Sequence, residues 1–289
     1  MEKFDIAIIG TGPAGISAAI TCKIRNKKIL LLGRKNSSEK INKAHLINNY
    51  PGLPEITGSE LTEKFISHIT GMGIEITEDK VSTVYSMGDY FILQCSGITY
   101  EAKSVIIATG VSQINTLDGE ERLLGNGVSY CVTCDAQFYK GKTAAIIGYN
   151  KESVEEANYL SEIANNVIFF PANCKTEGLS DKIKIIDNIP KKIVDDCGTK
   201  KIVTDKSAYE VDGVFIIRDS IAPNRLVPGL EMSGNHIKVD INMCTNISGC
   251  FACGDIAGQP YQFIKAAGQG NSAALSAVKY LDKQKGVKL

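Results

Sequence analysis

Residues 4–9, Phe-Asp-Ile-Ala-Ile-Ile, run directly into Gly10-Thr11-Gly12-Pro13-Ala14-Gly15, and small and apolar residues follow from Ile16 to Lys23. An apolar strand, a Gly-x-Gly-x-x-Gly turn and a helix in this order have a specific physical meaning. The first glycine permits the tight turn, the second lets a pyrophosphate approach the backbone, and the third lets the helix sit close to the strand. The helix N-terminus then offers oriented N–H donors to the phosphates. Ile29–Leu32 is a second apolar run, so residues 4–32 form a βαβ unit with a parallel sheet and a right-handed crossover. The acid that would grip a ribose about 20 residues further on is missing. The strand ends Leu32-Gly33-Arg34-Lys35, which leaves backbone atoms or Arg34 to handle the adenosine end.

A second βαβ unit starts at Thr143, with a strand over Ala144–Ile147, a helix over Ser153–Ala164 and a strand over Val167–Phe170. Short β-rich pieces at 74–76, 81–85 and 90–95 predict a small antiparallel meander before Val105–Gly110 rejoins the main sheet. The stretch 171–217 reads as strand-rich and polar. Gly249–Asp255 reads as a strand ending in a turn, and a helix follows from about Tyr261 to Leu281. A chain of 289 residues is long for one domain and fits roughly two. The expected fold class is α/β: two Rossmann-like, three-layer nucleotide-binding domains, the second inserted into the first, with small antiparallel β-meanders. The expected boundaries are 1–113 with 241–289 for the first and 114–240 for the second.

Composition narrows the function classes. The 32 basic and 32 acidic residues cancel, so no overall field draws the protein to nucleic acid or anionic lipid. No apolar run reaches the roughly 18–20 residues of a membrane helix. The N-terminus begins as a strand, without a basic and apolar leader. A soluble cytoplasmic protein is the expectation.

Nine cysteines in a chain of this length fit a reduced interior with some functional thiols better than a disulfide framework. Cys131-Val-Thr-Cys134-Asp135 is a CxxC followed by an acid. Its spacing suits a redox pair, with zinc binding and structural thiols as alternatives. Cys250-Phe-Ala-Cys253 repeats the spacing but lies in an apparent strand, where residues three apart face opposite sides, so structural burial is expected. Cys22, Cys95, Cys174, Cys197 and Cys244 show no partner pattern. His45, His68 and His236 are scattered without metal spacing. Tyr149 and Tyr261 are expected to pack rather than to stack on a ligand ring.

The order of GTGPAGISAA, INNYPGLP, IIATG, YCVTCD, GCFACGDIAG and YQFIKAAGQG, spread from residue 10 to 270, resembles the low-molecular-weight thioredoxin reductase family of flavoproteins. The resemblance implies a homodimer, an FAD domain made of both chain ends, and a middle domain carrying the dithiol. By position it places the FAD diphosphate on Gly10, Gly12, Pro13, Ala14 and Gly15, with Gly33 and Arg34 at the adenosine end. Asn49, Thr109 and Gly110 would line the flavin, Asp255 would hold the ribityl chain, and Gln262 the isoalloxazine edge. Val81, Ala108, Gly254 and Phe263 complete the implied cofactor contacts. Resemblance makes Cys134 the flavin-facing thiol, Cys131 the interchange thiol and Asp135 the acid that moves protons. A helix-capping role for Asp135 is compatible with this.

Family members that use NADPH carry a second Gly-x-Gly-x-x-Ala turn. Here it reads Gly148-Tyr149-Asn150-Lys151-Glu152-Ser153. Asn150 brings bulk where a pyrophosphate needs bare backbone, and Glu152 brings a like charge to the helix N-terminus. The basic cluster that would hold the 2′-phosphate is replaced by Pro171, Ala172 and Asn173, with Glu177 further on and Lys175 nearby. NADPH is therefore not expected to bind. The sequence is similar to the ferredoxin-dependent flavin thioredoxin reductase branch, which passes electrons from reduced ferredoxin through FAD and the dithiol to thioredoxin. The alternatives are an NADPH-dependent reductase with a drifted site, a related flavin disulfide reductase with another partner or a second cofactor, and a flavin-binding scaffold without turnover. Lys27-Lys28, Lys191-Lys192 and Lys200-Lys201 are candidate docking cations for an acidic ferredoxin, although a solvated pair is the simpler reading of each.

Overall fold

A computed structural model describes residues 2–35, 39–42, 44–96, 98–111, 116–196, 198–218, 223–284 and 286, without the side chains of 39, 40 and 121. The chain divides into two compact units, Met1–Ser112 with Ala222–Leu289, and Gln113–Ile221.

The first unit opens with β1 (Lys3–Ile9), α1 (Pro13–Ile24) and β2 (Ile29–Leu32), followed by α2 (Glu39–Asn42) and α3 (Gly58–Gly71). Thr57 and Glu60 start α3 with reciprocal side-chain to backbone bonds, a capping box. Then come β3 (Ile76–Thr77), β4 (Thr83–Ser86), β5 (Phe91–Gln94) and β6 (Thr99–Ile107). β1 pairs in parallel with both β2 and β6, as an apolar strand buried on both faces should. The expected meander is shorter than the sequence suggests. β3 joins β2 in parallel at the far side of the sheet, where Ile76 continues the buried apolar edge, and only β4, β5 and the start of β6 run antiparallel.

The second unit begins with α4 (Glu120–Leu123), β7 (Val128–Ser129) and α5 (Val132–Asp135). It continues through β8 (Thr143–Gly148), α6 (Glu152–Ser161), β9 (Asn166–Pro171) and β10 (Lys184–Ile185). An antiparallel meander β11 (Pro190–Asp196), β12 (Thr199–Thr204) and β13 (Ala208–Val211) precedes β14 (Gly213–Ile217). The main sheet has the order β10-β9-β8-β14-β7, all parallel. The strands sort their side chains by parity. Ala144, Ile146, Phe169, Phe215 and Ile217 face a core with Ala157 and Leu160 of α6. Ala145, Ile147, Phe170, Val214 and Ile216 face a core with Ile193, Ile202 and Val211 of the meander. The third layer of this unit is thus a meander, not a second helix layer.

The chain returns through α7 (Pro223–Leu226), β15 (Met232–Ser233) and β16 (His236–Ile237) to β17 (Cys250–Ala252) and α8 (Phe263–Gln284). The return lies at 222 rather than at the expected 241. Hydrogen bonds explain the earlier return: Asn246 binds Gly229 and Glu231, and His236 meets Tyr261. No sequence pattern marks those contacts. β17 pairs in parallel with Val105–Ile107, while β5 pairs with Thr99–Ala102, so the two strands share successive halves of one edge of β6.

Candidate functional site

The turn after β1 is forced by close backbone approaches. Gly10 has φ +118°, and a Cβ there would lie 2.2 Å from the carbonyl oxygen of Ala108. A Cβ on Gly15 would lie 1.8 Å from the Gly10 carbonyl oxygen. Gly12 differs, because a Cβ there would meet nothing within 4 Å. Pro13 begins α1, the first turn of the helix carries no acid, and the Gly12 cap makes no side-chain bond. Two glycines thus allow the turn to close and the third leaves bare backbone beside the positive end of a helix, which fits a dinucleotide diphosphate.

Around this cradle, Ala14 and Ala108 are buried, and the Ala108 N–H donates to the Ile9 carbonyl at 2.8 Å. The buried Thr11 hydroxyl donates to the Arg34 carbonyl at 2.8 Å and fixes the end of β2, while the Arg34 side chain is exposed. Gly33 sits against Thr11, and a Cβ there would lie 2.7 Å from its methyl group. Gly254, with φ +81°, lies against Ala14, so the turn after β17 belongs to the same cradle. Its residue Asp255 is half-buried, whereas Asn49, Thr109 and Gln262 are exposed. Gly110 has φ +70°, Val81 is buried just before β4, and Phe263 packs on the cluster of Ile41, Ile47, Ile56 and Leu61.

Two contributors went unnoticed in the sequence. Lys265 donates to the carbonyls of Gly254 (3.0 Å) and Gly258, and so ties together the turn holding Asp255. Burial pulls its ammonium below the ordinary lysine range, against the opposing effect of Asp255. Gly270 lets α8 touch α1, since a Cβ there would lie 2.0 Å from the Ala14 carbonyl oxygen. The signal for Gly270 was present in the small residues Ala266, Gly270, Ala273, Ala274 and Ala277, all buried along one helix. A single lysine in a helix gives no comparable signal.

Cys131 and Cys134 form a disulfide with Cα atoms 5.3 Å apart. Cys131 is the N-cap of α5, and its sulfur accepts the Cys134 N–H at 3.2 Å. Cys131 N–H donates to the Ser129 hydroxyl oxygen at 3.1 Å. Cys131 is half-buried and Cys134 exposed. Asp135 is half-buried and makes no side-chain cap on the 3₁₀ turn Ala136–Tyr139, so the capping role suggested for it belongs instead to the Cys131 sulfur. Tyr139 is raised above the ordinary phenol range by burial first, with Asp135 and Asp212 adding to it.

The remaining thiols behave as apolar groups. Cys22, Cys95, Cys250 and Cys253 are free and buried, and burial pushes each up to about 12. Cys174 and Cys244 are half-buried, and Cys197 lies outside the described residues. No group of three or more His, Cys, Asp or Glu could hold a metal ion among the described residues.

The turn after β8 is closed by its own side chains. Asn150 Oδ1 accepts the Ser153 N–H (3.1 Å) and the Ser153 hydroxyl (2.9 Å). Glu152 and Glu155 occupy the first turn of α6. The Asn173 N–H and the Cys174 thiol both reach the Gly148 carbonyl. Tyr149 lies beneath the Arg218 guanidinium, 4.6 Å from the ring centroid. Lys175 pairs with Glu177 at 3.8 Å in solvent. Of the candidate docking cations, Lys27, Lys28, Lys200 and Lys201 each pair with an acid, and Lys200 is buried, while Lys191 and Lys192 are exposed.

Comparison with known proteins agrees with this anatomy. The family described as pyridine nucleotide-disulphide oxidoreductase matches residues 4–270. A crystal structure of a ferredoxin-flavin thioredoxin reductase from Clostridium acetobutylicum is 53% identical, covers 99% of both chains and superposes with a TM-score of 0.87. A second structure of that description from the same organism is 47% identical over 98% of this chain and 99% of the other, with a TM-score of 0.90. Thioredoxin reductase of Aquifex aeolicus is 32% identical over 98% of this chain and 95% of its own. The chain belongs to the pyridine nucleotide-disulphide oxidoreductase family, in its thioredoxin reductase-like group.

Proposed function

We propose that this protein is an FAD-dependent disulfide oxidoreductase that uses reduced ferredoxin as electron donor and the disulfide of thioredoxin as acceptor, with Cys131 and Cys134 as the redox couple between them. The observation that carries the reading is the pairing of an open glycine turn at Gly10–Gly15 with a self-capped turn at Gly148–Ser153 in a chain that keeps its CxxC disulfide. The similarity to two ferredoxin-flavin thioredoxin reductase structures supports the donor and the acceptor.

Gly10, Gly12, Pro13, Ala14 and Gly15 would hold the FAD diphosphate on the N–H groups of α1. Gly33 and Arg34 would meet the adenosine end. Asn49, Val81, Ala108, Thr109, Gly110, Gly254, Asp255, Gln262 and Phe263 would line the rest, with Lys265 holding the Asp255 turn in shape. Bound there, FAD supplies the conversion between a one-electron donor and the two-electron chemistry of a disulfide.

Two electrons and two protons convert the Cys131–Cys134 disulfide to two thiols. The Cys134 N–H aimed at the Cys131 sulfur favours a thiolate at Cys131, which makes this sulfur the nucleophile toward an incoming disulfide. Its attack breaks the thioredoxin S–S bond and releases one thiolate. Attack by Cys134 on the mixed disulfide then re-forms Cys131–Cys134 and releases the second. Asp135, half-buried beside the pair, would carry protons to and from the sulfurs. The reading also makes the enzyme a cytoplasmic homodimer, which light scattering and fractionation test. No helix among the described residues is long and apolar enough to cross a membrane.

The deciding experiment is an anaerobic titration of the yellow protein, with NADPH in one cuvette and enzymatically reduced ferredoxin plus oxidised thioredoxin in another. Bleaching by ferredoxin, with new thiols on thioredoxin, supports the proposal. Rapid bleaching by NADPH overturns the donor assignment. Replacing Cys131 or Cys134 with Ser abolishes thioredoxin reduction if the pair is the couple, and leaves it unchanged if it is not.

A further inference from the structure

Three neighbouring strands of the second unit, β8, β14 and β7, end at one edge of their parallel sheet. Each sends out a large side chain one residue past its end: Tyr149 after Gly148, Arg218 after Ile217 and Tyr130 after Ser129. They converge on Glu120, the first residue of α4, whose side chain is 1% exposed. Arg218 grips the carboxylate with both guanidinium nitrogens, Nη2 to Oε2 at 2.9 Å and Nη1 to Oε1. The Tyr130 hydroxyl donates to Oε1 at 2.7 Å, and the Leu117 N–H donates to Oε2 at 2.8 Å. Tyr149 stacks under the guanidinium. Burial, the largest influence on Arg218, works against its charge, and Glu120 together with Tyr149 more than restores it.

We propose that Glu120 is a positioning residue for the redox couple, acting through Tyr130, with Arg218 as its anchor. The proposal rests on the reading of Cys131 and Cys134 as that couple. In an open parallel sheet, the crevice at the carboxyl ends of the strands is where a ligand ordinarily binds. Here protein side chains fill it, and one of them, Tyr130, is covalently next to Cys131. The Ser129 hydroxyl accepts from the Cys131 N–H and donates to the Cys131 carbonyl, so residues 129–131 form a short bonded entrance to α5. The tyrosine hydroxyl pins that entrance to a carboxylate that cannot move without breaking its bonds to Arg218 and to the Leu117 N–H. Replacing a buried ion pair with apolar packing of the same volume is often neutral or stabilising, and the best-attested use of such a pair is in fixing register. Tyr130 and Tyr149 pack against an apolar cluster that includes Leu123, Ile147 and Ile216.

When the disulfide is reduced, the two sulfurs lose their covalent link. The Tyr130–Glu120 bond then limits how far Cys131 can drift from Cys134 and keeps ring closure favourable. Loosening it shifts the couple toward the open dithiol. The reaction that measures this is balanced: two glutathione thiols reduce the Cys131–Cys134 disulfide, one glutathione disulfide forms, and two protons pass to the protein thiols.

The test equilibrates the FAD-loaded enzyme and its variants with mixtures of glutathione and glutathione disulfide under argon. Acid quenching, maleimide tagging and peptide mass spectrometry then count the free thiols at residues 131 and 134. Tyr130→Phe, which removes only the hydroxyl, is expected to shift the equilibrium constant about threefold to tenfold toward the dithiol, the range set by the net worth of one ordinary intramolecular hydrogen bond. Glu120→Gln is expected to shift it the same way, and the double variant no further than the larger single shift. Ile193→Val, in the same core but outside the network, is expected to leave it unchanged. Equal constants for wild type and Tyr130→Phe overturn the proposal, as does an Ile193→Val shift as large as that of Tyr130→Phe. A wild-type pair that does not exchange with glutathione at all overturns the redox-couple reading itself.

Discussion

The two strand–turn–helix units of this chain start from the same plan and end with opposite chemistry. Both place an apolar strand before a glycine and a helix after it. At α1, the Gly12 cap makes no side-chain bond, no acid stands in the first turn, and Gly12 leaves open space. At α6, Asn150 takes the Ser153 N–H, two glutamates stand in the first turn, and Tyr149 lies under Arg218. A helix N-terminus binds a phosphate only while its donors are left unsatisfied by the protein. The Rossmann-like fold persists in both units because strand and helix cores hold it. The residues that set the two turns apart, Gly12 in one and Asn150, Glu152 and Glu155 in the other, lie outside those cores.

The largest effect is expected where the first turn has no slack. Gly15→Ala drives a Cβ to 1.8 Å from the Gly10 carbonyl, so α1 must move off the sheet. Overpacking of this kind costs about 1–3 kcal/mol, and here it meets backbone that cannot rotate aside. The protein should purify without yellow colour and melt several degrees lower. A Gly15→Ala protein that retains wild-type flavin absorbance would mean that the cradle is more plastic than its contacts imply.

Gly12→Asp asks the same question without steric conflict, since nothing lies within 4 Å of the new Cβ. It gives α1 a capping carboxylate at the position where the second turn has Asn150. The carboxylate suits the helix dipole, so melting of the flavin-free protein should stay within a degree or two of wild type. Flavin retention should fall roughly 30-fold, from about 2 kcal/mol of repulsion and lost donors. Equilibrium dialysis against free FAD measures this, and an unchanged affinity would remove the main physical distinction between the two turns.

Lys265→Met probes the return segment, for which the second unit has no counterpart. Loss of the ammonium releases the Gly254 and Gly258 carbonyls and loosens the turn around Asp255. Charge-assisted bonds are each worth about 1.5–3 kcal/mol, but solvent replaces part of that at a half-buried site. A fall in FAD affinity of about tenfold is expected by the same dialysis. Faster flavin release with unchanged melting would confine the effect to the cradle.

How much of this was legible in the sequence follows from how local each feature is. Each glycine turn is written within six residues, in the order the backbone uses them, and the strands beside the first are continuous apolar runs. The two CxxC pairs were separable because Cys250–Ala252 has the apolar continuity of a strand, whereas Cys131 caps a short helical turn and Cys134 lies in it. Contacts across long sequence gaps were not legible. Glu120 meets Arg218 across 98 residues, and Asn246 fixes the return at 222 through single polar side chains. Such partners leave no periodicity. The parallel pairing of β3 was missed for a related reason, because two residues cannot declare which edge they join.

The smallest effect is expected at Asn150, and it separates the structural meaning of the second turn from its lost ligand. Asn150→Ala removes the acceptor for Ser153 N–H and should cost about 1 kcal/mol, the usual worth of a cap. For a chain of this size that is a fall of roughly 2–4 °C in melting temperature. Asn150→Gly should cost only a few tenths of a kcal/mol, because glycine leaves the helix donors open to water. It also re-creates the bare backbone that the first turn has at Gly12. Even so, Glu152 and Glu155 stay in place, Arg218 remains locked to Glu120, and no basic cluster follows β9. NADPH should therefore still fail to bleach the flavin of Asn150→Gly. If it does bleach it, Asn150 alone separates the two turns, and the glutamates and the Tyr149–Arg218 stack are bystanders.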